Sequence, residues 1–222
     1  MTDFAAAREF MVQGQVRIND VTEPRLTSAM LDVPRERFVP AALADLAYLD
    51  RDLPVTAPGS AAPRCLLKPL VLAKLIQAAT VGPEDRVLDV GCATGYGAAL
   101  LAHLARAVVA LEEHPDLAGD AERNLASAGI ANVTVVRGPL SEGWAAQAPY
   151  DVIVAEGRCE TIAVPLLSQL GEGGRLVCVQ GRGTAAKGMI YRRVQSDVSG
   201  WPLFDAAAPL LPGFAEPPAF VF

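Results

Sequence analysis

The residues of this chain whose types and spacing could do chemistry are concentrated in one stretch, Val87-Leu88-Asp89-Val90-Gly91-Cys92-Ala93-Thr94-Gly95-Tyr96-Gly97. Glycines let a backbone approach a ligand closely, and a helix that starts behind such a turn presents unpaired N–H groups. Dinucleotide-binding turns read G-x-G-x-x-G, whereas Gly91, Gly95 and Gly97 read G-x-x-x-G-x-G. Asp89 stands two residues before the first glycine. A carboxylate there suits a ligand bearing an ammonium group and repels a pyrophosphate. A second acid, Glu112, follows the apolar run 107–111, where it could accept hydrogen bonds from ribose hydroxyls. An ammonium tail and a ribose together describe S-adenosylmethionine. A turn whose glycines serve packing alone is the competing reading, and the acidic pair weighs against it.

Other reactive groups are sparse. Cys65, Cys92, Cys159 and Cys178 are scattered without a C-x-x-C pair, and His103 and His114 are the two histidines. No zinc site is expected from this set. Cys92 reads as a small packing residue at the turn, and Cys65 could act as a nucleophile only beside a base. Free thiols suit a reducing cytoplasm. The N-terminal ten residues do not read as a secretory signal, and no apolar stretch is long enough to span a bilayer. A net charge of -6 with no Lys/Arg run makes a nucleic-acid partner unexpected.

The elements that must position Asp89 and Glu112 follow from periodicity. The spacing predicts helices over 3–14, over 23–31 with Thr22 as N-cap, and over 66–79. A loop rich in proline and glycine spans 54–64. From residue 81 the rhythm becomes strand 86–90, helix 96–104, strand 107–111, helix 115–128, strand 133–136 and strand 150–155. A helix over 161–170, a turn over 171–174, strand 175–180 and a further strand over 190–194 follow. The end, 219–222, reads as a last strand or a packed tail. Strands alternating with helices predict an α/β fold with parallel pairing. Residues 1–80 read as a helical cap on an α/β unit of 81–222, the two forming one structural unit.

The sequence also resembles the protein-L-isoaspartate O-methyltransferases from about Met11 to about Val179. The most specific part is Val33-Pro34-Arg35-Glu36-Arg37-Phe38-Val39-Pro40, followed by Ala47-Tyr48 and Asp52-Leu53-Pro54. Gly143-Trp144, Ala148-Pro149-Tyr150-Asp151, Gln169-Leu170 and Gly173-Gly174-Arg175-Leu176-Val177 also match. The resemblance implies a Rossmann-like, seven-stranded, mostly parallel sheet and S-adenosylmethionine as methyl donor. It implies a protein or peptide substrate bearing an isoaspartyl carboxylate. Gly91 and Gly95 would line the cofactor tail, Glu112 would hold the ribose, and Val90, Cys92 and Tyr96 would lie nearby. Asp89, Leu140 and Glu156 complete the candidate cofactor set.

The sequence departs from this family in two places. The family's G-Q-T-I-S-Q-P loop is replaced by Arg64-Cys65-Leu66-Leu67-Lys68 before Pro69. Cys65 and Leu67 thus stand at the hydroxyl positions beside the acceptor, and leucine donates no hydrogen bond; Arg64 or Lys68 could compensate. The family's G-D-G becomes Gly138-Pro139-Leu140, and proline removes both a carboxylate and a backbone donor. After the fourth strand, Glu156 and Arg158 stand where acceptor-site groups would lie, or in a solvated loop.

Methyl transfer to a carboxylate needs no strong base, because the acceptor is already ionised at neutral pH; position and exclusion of water suffice. Three readings follow: an isoaspartyl methyltransferase, a methyltransferase with another acceptor, and a binding or regulatory protein on the same fold.

Overall fold

The computed structural model describes residues 2–60 and 63–216. Two short strands, β1 (Leu53–Pro54) and β2 (Cys65–Leu66), pair antiparallel ahead of the main sheet. The remaining strands are β3 (Arg86–Val90), β4 (Ala107–Glu112), β5 (Val133–Arg137), β6 (Tyr150–Cys159), β7 (Leu170–Gln180), β8 (Lys187–Val194) and β9 (Asp197–Asp205). They form one seven-stranded sheet in the order β5-β4-β3-β6-β7-β8-β9. The first five are parallel; β8 and β9 are added as an antiparallel meander. The α/β, mostly parallel architecture read from the sequence is what the chain adopts. The strand order reverses at β3, with β4 on one side and β6 on the other, and in open α/β sheets ligands bind beyond the carboxyl ends at such a switch point.

The helices are α1 (Phe4–Met11), α2 (Pro24–Asp32), α3 (Pro69–Ala79), α4 (Tyr96–Ala102), α5 (Pro115–Ser127) and α6 (Val164–Ser168). Asp3 caps α1 by accepting from the Ala6 N–H at 3.0 Å. The expected helix over 3–14 changes character after Met11. It continues as a π turn, Val12–Val16, and a 3-10 turn, Arg17–Asn19, ending on Asp20 in the left-handed region. Glu23, rather than Thr22, is the N-cap of α2; the Thr22 N–H donates to Gln77 instead.

Successive residues of a strand point to opposite faces, and both faces are buried. Val87, Val108, Val152, Val154, Val177 and Val179 join the buried cluster that also contains Met11, Leu26, Phe38, Leu53 and Leu72. Leu88, Val90, Val109, Leu111, Ile153 and Leu176 pack on the other side with Leu166, Leu211 and Phe214. The same alternation sends Asp89 and Glu112 to the first face. Strands buried on both sides read as continuous apolar runs, which is why β3, β4 and β6 were legible.

Several boundaries differ from the periodicity: α4 ends at Ala102 rather than at 104, and β8 begins at Lys187 rather than at 190. Helix α3 begins at Pro69, because Cys65 and Leu66 belong to the β1–β2 ladder. The helix expected over 161–170 covers Val164–Ser168 only, with a proline in its first turn. The expected turn over 171–174 lies within β7, where the register with β6 shifts between Tyr150 and Val152. Strand β6 runs on through a second irregularity to Cys159, so Glu156 and Arg158 lie in a strand and not in a loop. The expectation for 219–222 falls outside the described residues.

Candidate functional site

The turn after β3 is built from left-handed backbone at Gly91 (φ 79°), Ala93 (φ 51°) and Gly95 (φ 95°). It is tied to the neighbouring strand by the Gly91 and Cys92 N–H groups, which donate to the Leu111 carbonyl at 2.8 and 3.1 Å. Gly95 then starts α4. Glu112, at the end of β4, holds the turn from the other side. Its Oε2 accepts from the Ala93 N–H at 2.9 Å. Its Oε1 accepts from the Glu113 and His114 N–H groups at 3.0 and 3.1 Å.

Arg64, named in the sequence as a cation that could compensate in the acceptor loop, and Glu156, named in the candidate cofactor set, complete the cluster. Arg64 reaches over the turn: its Nη2 donates to the Gly91 carbonyl at 2.8 Å and pairs with Glu112 Oε2 at 3.2 Å. Glu156 lies beside Asp89 and α4. A Cβ added to Gly97 would fall 1.4 Å from Glu156 Oε1, so the missing side chain at 97 is the space that the carboxyl fills. With both carboxyls ionised, Asp89 Oδ1, Asp89 Oδ2 and Glu156 Oε1 would have no donor; a proton held between the two side chains supplies one. Burial pushes the Asp89 carboxyl up to about 7, against the opposing effect of its bond to Glu156. Burial and the Asp89 charge push Glu156 well above the usual carboxylate range.

A carboxyl that holds its proton more tightly when folded stabilises the fold in acid, and that contribution is lost as pH rises. The groups facing Asp89 are Glu156, Glu112, Arg64 and Cys92. Between an ordinary 3.8 and about 7, the wild-type protein should become less stable with rising pH. From about pH 5 to about pH 8 the loss amounts to about 3 kcal/mol. The titration belongs to the pair, and burial alone still raises Glu156, so the double variant Asp89→Asn/Glu156→Gln removes it. Its thermal midpoint relative to wild type should therefore climb by roughly 6–12 °C across that interval. Parallel curves of midpoint against pH would mean that the pair does not titrate.

Asp89, the turn 90–96, Glu112 and Glu156 are brought together, but not around an open cleft: with Leu140, which packs in the cluster on the other face, they are all buried. A Cβ at Gly91 would lie 2.8 Å from Arg64 Nη2 and 3.0 Å from Leu211 Cδ2, so these two side chains stand over the turn. Leu140 packs in the core beneath the sheet, while Pro139 is exposed beside it. Tyr96 points to the signature run: Arg35 stacks 4.6 Å from its ring centroid and Phe38 meets it edge-on. Arg35 is itself fully buried and donates to the Ala47 and Leu67 carbonyls at 2.9 and 2.7 Å. Burial pushes the Tyr96 hydroxyl up to about 12.

The two positions of the replaced hydroxyl loop are occupied structurally. Cys65 is half-buried opposite Pro54 in the β1–β2 ladder, and burial pushes its thiol up, away from a nucleophilic thiolate. The Leu67 side chain is in the core. Arg158, considered for the acceptor site, is engaged elsewhere: it donates to the Ala208 and Gly181 carbonyls and pairs with Glu160, fastening the segment after β9. Sequence reasoning could not place Arg64 and did not find Leu211, since nothing in their spacing tells that they meet Gly91.

A sequence profile of the family described as protein-L-isoaspartate(D-aspartate) O-methyltransferase (PCMT) matches residues 8–199. The chain belongs to this family. A protein-L-isoaspartate O-methyltransferase of Methanoculleus marisnigri is 41% identical over 174 residues, covering 78% of this chain and 77% of its own. One of Koribacter versatilis is 39% identical over 177 residues, covering 80% and 78%. Solved structures agree in fold. A protein-L-isoaspartate O-methyltransferase superposes with a TM-score of 0.80 at 23% identity, over 93% of this chain and 66% of that one. A Plasmodium falciparum protein described as a putative member, in complex with S-adenosyl-L-homocysteine, gives 0.73 at 17% identity over 95% and 99%. The isoaspartyl methyltransferase family therefore accounts for the signature around Arg35 and for the sheet order at β3. The family is one of S-adenosylmethionine-dependent methyltransferases. Among the described residues no cluster suited to a metal ion exists, and no helix is long and apolar enough to cross a membrane.

Proposed function

We propose that this chain transfers a methyl group from S-adenosylmethionine to the side-chain carboxylate of isoaspartyl residues in damaged protein. The observation that carries the reading is the placement of Asp89 and Glu112. They end adjacent strands on the same face, under the glycine turn, in a chain matched by the family from residue 8 to 199. The donor set fits the cofactor's chemistry. Asp89 has two buried oxygens lacking an N–H donor, which an ammonium group would supply. Glu112 would take the ribose hydroxyls in place of Arg64. The turn 91–95 would line the tail, and Val90, Cys92, Tyr96 and Leu140 would form apolar walls. When bound, S-adenosylmethionine supplies a methyl group on a sulfonium.

The protein's own residues bind, orient and exclude water. A general base is unnecessary, since the acceptor carboxylate is ionised at neutral pH. Residues 1–80 act in this reading as a cap that lends Arg35 and Arg64 to the site. The acidic chain, with net charge -6, favours a protein or peptide partner over nucleic acid. Four unpaired cysteines suit the reducing cytoplasm.

A second reading, a methyltransferase with a different acceptor, is favoured by one observation: Leu67 is buried in the core and cannot donate to an acceptor carboxylate. Matched isoaspartyl and aspartyl peptides, incubated with methyl-labelled S-adenosylmethionine and assayed for base-labile methyl ester, separate the two. Label on the isoaspartyl peptide alone is expected. Cofactor binding without label on either peptide would transfer the case to the second reading.

A further inference from the structure

This inference rests on the cofactor reading above. Glu112 already accepts three backbone N–H groups, two on Oε1 and one on Oε2. A carboxylate offers about four lone-pair sites. The Arg64 guanidinium is ion-paired with Oε2 at 3.2 Å, so a ribose hydroxyl approaching that oxygen meets the guanidinium while Arg64 is present. The guanidinium also fills the approach to Gly91, where an added Cβ would lie 2.8 Å from it. Arg64 is 2% exposed and Glu112 0%, so this is a buried ion pair and not a surface contact.

We propose that Arg64 is an internal competitor of the cofactor, seated in the nucleoside site of the free protein and withdrawn when the cofactor enters. Among the described residues, the side chains nearest Gly91 are Arg64 and Leu211. Leu211 is fixed by backbone bonds: its N–H donates to the Arg158 carbonyl at 2.9 Å, and the Arg158 N–H donates to Pro209 at 2.7 Å. Arg64 is carried at the end of the 54–64 loop, joined to it by the Val55 N–H at 2.9 Å and by Thr56 Oγ1 at 3.0 Å. Its Nη1 has no partner although buried, so the guanidinium is only half engaged. Backbone bonds hold both residues in place, so what distinguishes Arg64 is that its covering group ends a long, flexible stem that can swing away while the backbone stays bonded.

A ligand that binds only the withdrawn form shows an affinity reduced by the fraction of protein in that form. Removing the competitor therefore tightens binding. The test is calorimetric titration of wild type, Arg64→Ala and Arg64→Gln with S-adenosylhomocysteine, which involves no turnover. Thermal melts confirm that each protein is folded, and Arg64→Gln serves if Arg64→Ala does not fold. The expected result is a Kd lowered about tenfold or more in the alanine variant, and less in the glutamine variant, which keeps part of the stem. Equal Kd values in all three proteins would overturn the proposal while leaving the cofactor reading intact. Weaker binding in both variants would also overturn it, by making Arg64 a cofactor contact. No binding by any of the three would refute the cofactor reading, and the competitor with it.

Discussion

Glu112→Ala should lower the stability of the free protein by about 3–5 kcal/mol, the range found when one partner of a buried ion pair is removed. The size follows from what the carboxylate holds. Arg64 would be left charged, 2% exposed and without its 3.2 Å ion-pair partner. The N–H groups of Ala93, Glu113 and His114 would lose their acceptor together, and unpaired buried donors are costly. Denaturant unfolding measures the effect as a lower midpoint at unchanged slope. The double variant Glu112→Ala/Arg64→Ala should recover part of the loss, since removing both charges is milder than stranding one. A single-variant cost below about 1 kcal/mol, the scale of exposed pairs, would mean that water reaches the pair.

The second large effect is expected at Gly97. An alanine there would place its methyl carbon 1.4 Å from Glu156 Oε1 and 2.5 Å from Glu156 Cδ. The carboxyl must then leave a buried site where it shares a proton with Asp89. Overpacking of this kind costs about 1–3 kcal/mol, and the displaced carboxyl puts Gly97→Ala at the upper end. Glu156→Ala vacates the space. In a double-mutant cycle, Gly97→Ala and Glu156→Ala should couple favourably by roughly 1–3 kcal/mol. Additive costs would show that the carboxyl moves aside freely.

What could be read from the sequence, and what could not, divides along a physical line. The turn 91–97, Asp89 and Glu112 were legible because one short segment carries both the glycine spacing and the strand that aims it. Strands β3, β4 and β6 were legible as apolar runs. Strand β9 was not: Ser199, Gly200 and Pro202 break its apolar pattern, and as an edge strand most of it is exposed, so no burial imposes alternation. Glu156 looked like a loop residue because β6 loses register after Val154 and the apolar run stops there. Its fit against Gly97 depends on the facing of β6 and α4, which no local pattern encodes. Arg64 could be named as a candidate cation, but its direction depends on how the 54–64 loop closes on the β1–β2 ladder. Leu211 owes its place to a segment held by Arg158, far away along the chain.

That last distance bears on synthesis. Chains emerge from the ribosome N-terminal end first, and Gly91, Asp89 and Glu112 emerge long before Leu211. The β3–α4–β4 unit can form while β6 to β9 are still being made. Until then Asp89 has no Glu156 beside it. The shared proton is acquired only when β6 pairs with β3 along Val87 to Val90. Leu211 reaches Gly91 later still, after the meander of β8 and β9 has turned the chain back to Arg158. The glycine turn and its two acids thus belong to the first 112 residues of the chain, and the groups that close over them, Glu156 and Leu211, to the remainder.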